Sequence, residues 1–143
     1  ELEKKILAVH RLKSAVPARM LAELGAIKGG ASEAVIKGLG NFFEALGLAF
    51  QIIDDVLNLR GFKGDLKDRG EDISAGKITM PVTKAMNRLS IEERKWLWQQ
   101  VSAKPVDKDI IAAVIDLMER CGAIDACQQH AENLIDDAWK EVD

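Results

Sequence analysis

Hydrophobic positions recur every three or four residues through most of the chain, the spacing of one face of an α-helix. Leu2, Ile6, Val9, Leu12 and Val16 form such a line, which predicts helix from Glu1 to about Ile27. Pro17 interrupts it, because its ring crowds the preceding turn and it has no N–H to donate. A kink is therefore expected near Lys13–Pro17, with local carbonyls deprived of helical donors. Gly29 and Gly30 end the element, and Ser32 suits the N-cap of the next. From Glu33 to about Leu59, the line Val35, Leu39, Phe42, Phe43, Leu46, Phe50, Ile53 and Leu57 predicts a long helix with that stripe in the core. A second line, Gly40, Gly47 and Asp54, repeats every seven residues and so nearly superposes on the helix surface. Gln51 and Asn58 share the side of Asp54. A glycine inside a helix costs about 1 kcal/mol relative to Ala. Either the glycines let another helix come close, or they clear room for a ligand beside the carboxylates.

The periodicity stops between Gly61 and Gly76, where four glycines punctuate a segment rich in lysine and aspartate. Thr79 precedes Pro81, a pairing that suits the first turn of a helix running to about Leu89. Ser90-Ile91-Glu92-Glu93 is a capping-box pattern opening a helix to about Val101. Pro105 breaks that helix, Asp107 can cap the one that follows, and Gly122 ends it. Ile124, Cys127, Ala131, Leu134, Ile135, Ala138 and Val142 then mark a closing amphipathic helix over Ala123–Asp143. No segment reads as strand, so the expected fold class is all-α.

The length of 143 residues suits one compact domain. With 20 Lys+Arg against 23 Asp+Glu and a net charge of −3, there is no basic field for nucleic acid and no polybasic membrane tail. The longest stretch without a charged residue, Ala45–Ile53, falls far short of the roughly 20 apolar residues of a membrane span. Cys121 and Cys127 match no metal or redox spacing and read as reduced, partly buried thiols. His10 and His130 have no clustered ligands beside them. The chain opens at Glu1, without methionine and already inside a helix, so it is expected to be part of a longer product.

The chemistry concentrates at the end of the long helix. Phe50-Gln51-Ile52-Ile53-Asp54-Asp55-Val56-Leu57-Asn58 sets two carboxylates and an amide in apolar surroundings. Paired carboxylates there repel and lose hydration, which costs several kcal/mol unless something compensates. Oxygen ligands on one helix face suit a hard cation, Mg²⁺ above all, which keeps waters and bridges to phosphates. Asp54 and Asp55 point about 100° apart. Asp54, sharing its side with Gly47, Gln51 and Asn58, is the acid expected to face the site. Lys67 and Lys77 sit amid glycines, and Lys13 lies at the expected kink. Acids, Mg²⁺ and lysines together are what a diphosphate needs, both to bind and to leave. Asp136-Asp137, off the stripe of its helix and followed by no such loop, reads as surface.

Gly47 to Asn58 resembles the second aspartate-rich motif of the trans-isoprenyl diphosphate synthase family, with its leading Phe50-Gln51. Lys67 to Pro81 resembles the loop that follows it in that family, Lys-x-x-Gly-x-Asp and then Gly-Lys-x-Thr-x-Pro. Lys13-Ser14, with Leu21, Gly25 and Ala26, resembles the upstream Lys-Thr helix, and Cys121 to Trp139 its late helix pair.

The resemblance implies a bundle of helices around a deep apolar cavity, of which this chain would form about half, the C-terminal portion. It implies Asp54 as principal Mg²⁺ ligand, Asp55 assisting through water or charge, and Asn58 in place of a third acid as a weak or water-mediated ligand. Lys13, Gln51, Lys67 and Lys77 would bind the allylic diphosphate. Phe50 and Gln51 would lie beside the reacting carbon, and Gln51 with the Lys13-Ser14 backbone would stabilise the allylic cation. The implied reaction ionises an allylic prenyl diphosphate, adds isopentenyl diphosphate, and eliminates a proton. The implied partners are the N-terminal half of the enzyme and a second subunit, in a homodimer or heterodimer, soluble in the cytoplasm or an organelle matrix. The family's first aspartate-rich motif is not in this chain. Two other functions use the same features: a terpene cyclase on the same scaffold, and a non-catalytic regulatory subunit docking through Phe42, Phe43 and Leu46.

Overall fold

The computed structural model of the chain describes residues 1–61 and 69–141. Among the described residues the secondary structure is helical throughout: α1 (Leu2–His10), a π-helical turn (Arg11–Ala15), α2 (Val16–Lys28), α3 (Glu33–Arg60), α4 (Glu71–Ser74), α5 (Met80–Met86), α6 (Ile91–Ser102), α7 (Lys108–Arg120) and α8 (Ala123–Lys140). The chain gathers into two compact units, one of Glu1, Glu3–Ile53 and the residues from Gln129 on, the other of Leu2 and Asp54–Gln128.

In the first unit, the expected kink is a widened turn. Pro17 sits in the first turn of α2, and the Val16 N–H reaches back five residues to the Arg11 carbonyl. Pro17 has no N–H for the carbonyl of Lys13, its partner in a regular helix. Here the helix absorbs that loss as a π turn without breaking. Val16 keeps helical torsions at φ −63° and ψ −46°.

α3 runs unbroken for 28 residues, with the Ser32 hydroxyl accepting from the Val35 N–H at 3.4 Å. Its apolar stripe, expected to lie in the core, is for the most part not the face that is buried. Val35, Phe43, Leu46 and Phe50 are exposed, Phe50 at 65%, whereas Gly40, Gly47, Ala49, Gln51, Ile52, Asp55, Val56 and Leu59 are covered. The same inversion holds on α1 and the π turn, where Leu12 is 73% exposed while His10 and Ala15 are buried. α3 carries apolar residues on more than one side, and helices approach closest where side chains are smallest, so the small residues decide which side packs.

Gly47 shows this directly. A Cβ there would lie 2.8 Å from both the Ala15 Cα and the Ser14 carbonyl oxygen. At Gly40 it would collide with the Glu23 carboxylate. Gly47 thus lets the Ser14–Ala15 backbone come close to α3, and Gly40 leaves space for the Glu23 side chain. Large apolar side chains of the same unit, among them Met20, Leu21, Leu24 and Ile27 on α2, remain in contact with solvent. Phe42 makes edge contacts with Phe43 and Trp139, centroids 5.8 and 5.5 Å apart.

The second unit holds a conventional core of large side chains: Leu59, Ile73, Met80, Val82, Leu97, Val101, Val114, Met118 and Ile124. Its helix ends follow the sequence signals. Ser90 and Glu93 form the complete capping box, and the Asp107 carboxylate accepts from the Asp109 N–H at 2.8 Å. α5 stops at Met86, three residues short of the expected Leu89. α4 is one turn inside the segment that shows no periodicity, too short to leave a repeat in the sequence.

Candidate functional site

The C-terminal end of α3 carries the acids, and the two point differently. Asp55 is 8% exposed, and its Oδ2 accepts from the Met80 N–H at 3.0 Å. Met80 opens α5, Thr79 at the N-cap makes no side-chain cap bond, and Pro81 has no N–H. Asp55 thus supplies the acceptor that the start of α5 otherwise lacks. Asp54, one helical step round, is exposed, and among the described residues no hydrogen bond or ion pair takes up its carboxylate.

Asn58 anchors the segment that follows. Its Oδ1 accepts from the Asp72 N–H at 3.1 Å, and its carbonyl accepts from the Gly70 N–H at 2.8 Å. Gly70 adopts φ +82°, where an L side chain is strained, and a Cβ would also run into Ile111. Arg69 closes the end of α3 by donating from Nε to the Leu59 carbonyl at 2.7 Å. The Asp72 carboxylate then accepts from Lys77 Nζ at 2.6 Å, and the Asp72 carbonyl accepts from the Lys77 N–H at 2.9 Å. Hydrogen bonding to Asp72 first, and the fields of Asp55 and Glu71 after it, hold the Lys77 ammonium above the ordinary lysine range. Lys77 therefore stays fully charged at neutral pH while its side chain remains mostly exposed. Asp72 was legible only as a letter of the loop pattern. Its role as the holder of Lys77 comes from the turn that folds five residues back on themselves.

The other candidates lie in the first unit. Lys13 is exposed and Ser14 half-buried in the π turn, both presented by backbone that rests on Gly47. Gln51 is buried at 8% exposure and Phe50 points outward. Lys67 lies outside the described residues. So the structure brings Asp55, Asn58, Asp72 and Lys77 into one bonded arrangement, and places Lys13, Ser14, Phe50 and Gln51 in the other unit. Asp136 and Asp137 are exposed, as a surface pair would be.

The family model for polyprenyl synthetase matches residues 2–118. The chain belongs to the polyprenyl synthetase family. It is 34% identical over 122 residues to the short chain isoprenyl diphosphate synthase of Methanothermobacter thermautotrophicus, covering 85% of this chain and 37% of that protein. It is 32% identical over 136 residues to heptaprenyl diphosphate synthase component 2 of Geobacillus stearothermophilus, covering 93% of this chain and 41% of that one. The crystal structure of geranylgeranyl pyrophosphate synthase from Corynebacterium glutamicum, complexed with calcium and isoprenyl diphosphate, superposes with a TM-score of 0.83 at 26% identity, covering 96% of this chain and 43% of that chain. The chain thus spans about two-fifths of the length of these two relatives.

A divalent metal fits the family. Among the described residues no three His, Cys, Asp or Glu side chains converge on one point. Asp55 and Asn58 each have an oxygen engaged by a backbone N–H, and Asp54 is the open carboxylate. That suits a hard cation bound through one or two carboxylates, its remaining ligands being waters and phosphate oxygens. Among the described residues no helix is long and apolar enough to cross a membrane.

Proposed function

We propose that this chain is the C-terminal portion, folded as one domain, of a trans-prenyltransferase that condenses isopentenyl diphosphate with an allylic prenyl diphosphate. The observation that carries the reading is the division of labour at the end of α3. Asp55 and Asn58 hold the segment that presents Lys77, and among the described residues at the end of α3 Asp54 is the acid left open to a cation. Asp54, with Asp55 adding charge behind it, would hold Mg²⁺, which when bound would supply positive charge to offset that of the leaving group.

Lys13, Lys67 and Lys77 donate to the allylic diphosphate. Gln51 and the Lys13-Ser14 backbone turn their dipoles to the allylic cation, and Phe50 lies beside the reacting carbon. The allylic C–O bond breaks with its electron pair on diphosphate. The alkene of isopentenyl diphosphate closes the new C–C bond, and a proton is lost. The exposed apolar side chains of α1, α2 and α3 support a partner that completes the fold. It is the N-terminal half of the enzyme, on the same polypeptide or a second one, in a soluble homodimer or heterodimer.

The test combines this chain with an upstream portion carrying the rest of the family fold. The readout is transfer of labelled isopentenyl diphosphate to an allylic diphosphate in the presence of Mg²⁺. A lengthened diphosphate that disappears in Asp54→Ala is the expected result. No product from the complete assembly, or equal activity in Asp54→Ala, refutes the proposal. A hydrocarbon or alcohol product would instead indicate a terpene cyclase, and an assembly unable to bind diphosphate a regulatory subunit.

A further inference from the structure

The π turn that presents Lys13 and Ser14 is gripped from outside its own hydrogen bonds. Glu44, on α3, accepts from Arg11 Nε on one carboxylate oxygen at 2.6 Å and from Arg19 Nη1 on the other at 2.7 Å. Arg11 is the first residue of the π turn, and Arg19 stands in the first turn of α2 beyond it. A single carboxylate therefore ties both flanks of the widened turn to one point on α3. Arg19 is held in turn by Glu23, its Nε 2.8 Å from Glu23 Oε1, and Gly40 leaves the room that Glu23 occupies. Three residues along α3 from Glu44, Gly47 meets the Ala15 and Ser14 backbone directly.

A π turn has poorer geometry than an α-helix and persists where its surroundings hold it. Two charge-assisted bonds to one half-buried carboxylate are the kind of tie that does so, more than a lone ion pair in water.

We infer that Glu44 is a positioning residue: by clamping Arg11 and Arg19 it fixes the π turn on Gly47 and so sets where Lys13 and Ser14 meet the diphosphate. The inference rests on the diphosphate-binding role proposed above for Lys13. Charge alone makes the opposite prediction, because removing an anion near Lys13 should strengthen binding of another anion.

The test titrates inorganic diphosphate with MgCl₂ into the chain and into Lys13→Ala, Glu44→Gln and Glu44→Asp. Glu44→Asp keeps the charge and is one methylene short of spanning both guanidinium groups. Both Glu44 variants are expected to bind about tenfold more weakly. Hydrogen exchange over residues 8–18 is expected to accelerate at least tenfold in both, with exchange in α6 and α7 unchanged. Wild-type or tighter binding in Glu44→Gln, alongside weakened binding in Lys13→Ala, overturns the inference and spares the role of Lys13. Full binding in Lys13→Ala overturns that role and the inference with it. Unchanged exchange over 8–18 overturns the clamp whatever the binding result.

Discussion

Two glycines nine residues apart on the same helix should respond oppositely to the same substitution. Gly47→Ala adds a methyl group 2.8 Å from the Ala15 Cα and the Ser14 carbonyl oxygen and 3.1 Å from the Ala15 nitrogen. Ordinary contact begins at 3.4 Å, so the methyl is about 0.6 Å too close. All three atoms are backbone, and no rotamer change relieves the clash. Overpacking of this kind costs roughly 1–3 kcal/mol. Replacing glycine by alanine in a helix returns about 1 kcal/mol through propensity. With three backbone contacts at once the overpacking cost belongs in the upper half of its range, about 2–3 kcal/mol. The balance is then a net loss of about 1–2 kcal/mol, and for a chain of this size a melting temperature lower by roughly 3–8 °C.

Gly38→Ala collects the propensity alone, because a Cβ there meets nothing within 4 Å. It should melt roughly 2–4 °C higher than the wild type. Thermal unfolding followed by far-ultraviolet circular dichroism measures both. If Gly47→Ala is as stable as the parent, or if the two variants shift the same way, α3 does not rest on the π turn as described.

The two acids at the end of α3 should separate in the same spirit. Asp55→Ala strands the N–H of the fully buried Met80 and should cost about 1–3 kcal/mol in urea unfolding. Asp55→Asn keeps an acceptor and should recover most of that loss, whereas Asp54→Ala should leave stability nearly unchanged while removing Mg²⁺-dependent diphosphate binding. Equal destabilisation by Asp54→Ala and Asp55→Ala would contradict the assignment. Acid provides a further check. Hydrogen bonds first from Arg19 and then from Arg11 hold the Glu44 carboxyl below its ordinary 4.5. A carboxylate whose folded value is depressed contributes stability above its unfolded value and loses it as pH falls through the folded one. Unfolding free energy should therefore decline below about pH 4.5, less steeply in Glu44→Gln, and parallel profiles for the two proteins would count against the clamp.

Local signals in the sequence carried most of the helix map. Ser90 with Glu93, Asp107, Ser32 and the paired Gly29-Gly30 are groups that act within four residues of themselves, so their effect is written beside them. Pro17 likewise announced a disturbance, because the missing N–H is a property of the residue itself. Its form did not follow: whether a helix breaks, bends or widens depends on what supports it, and the support comes from Glu44 and Gly47 on another helix. The candidate site divided along the same line. Asp54, Asp55, Asn58 and Lys77 were recognisable as a pattern, while the commitment of Asp55 to Met80 and of Asn58 to Asp72 was not, since those partners lie 25 and 14 residues away.

By itself, then, the sequence determined that the described residues are helical and where most of their helices start and stop, and it marked the acids and lysines that the proposed function uses. Only the tertiary structure decided which face of α3 is covered and which aspartate is left open. Helical periodicity shows that a face is apolar but not that anything lies against it. Contact is settled by size and distance, here by the Gly47 hydrogen facing the Ser14 and Ala15 backbone while Phe50 turns to solvent.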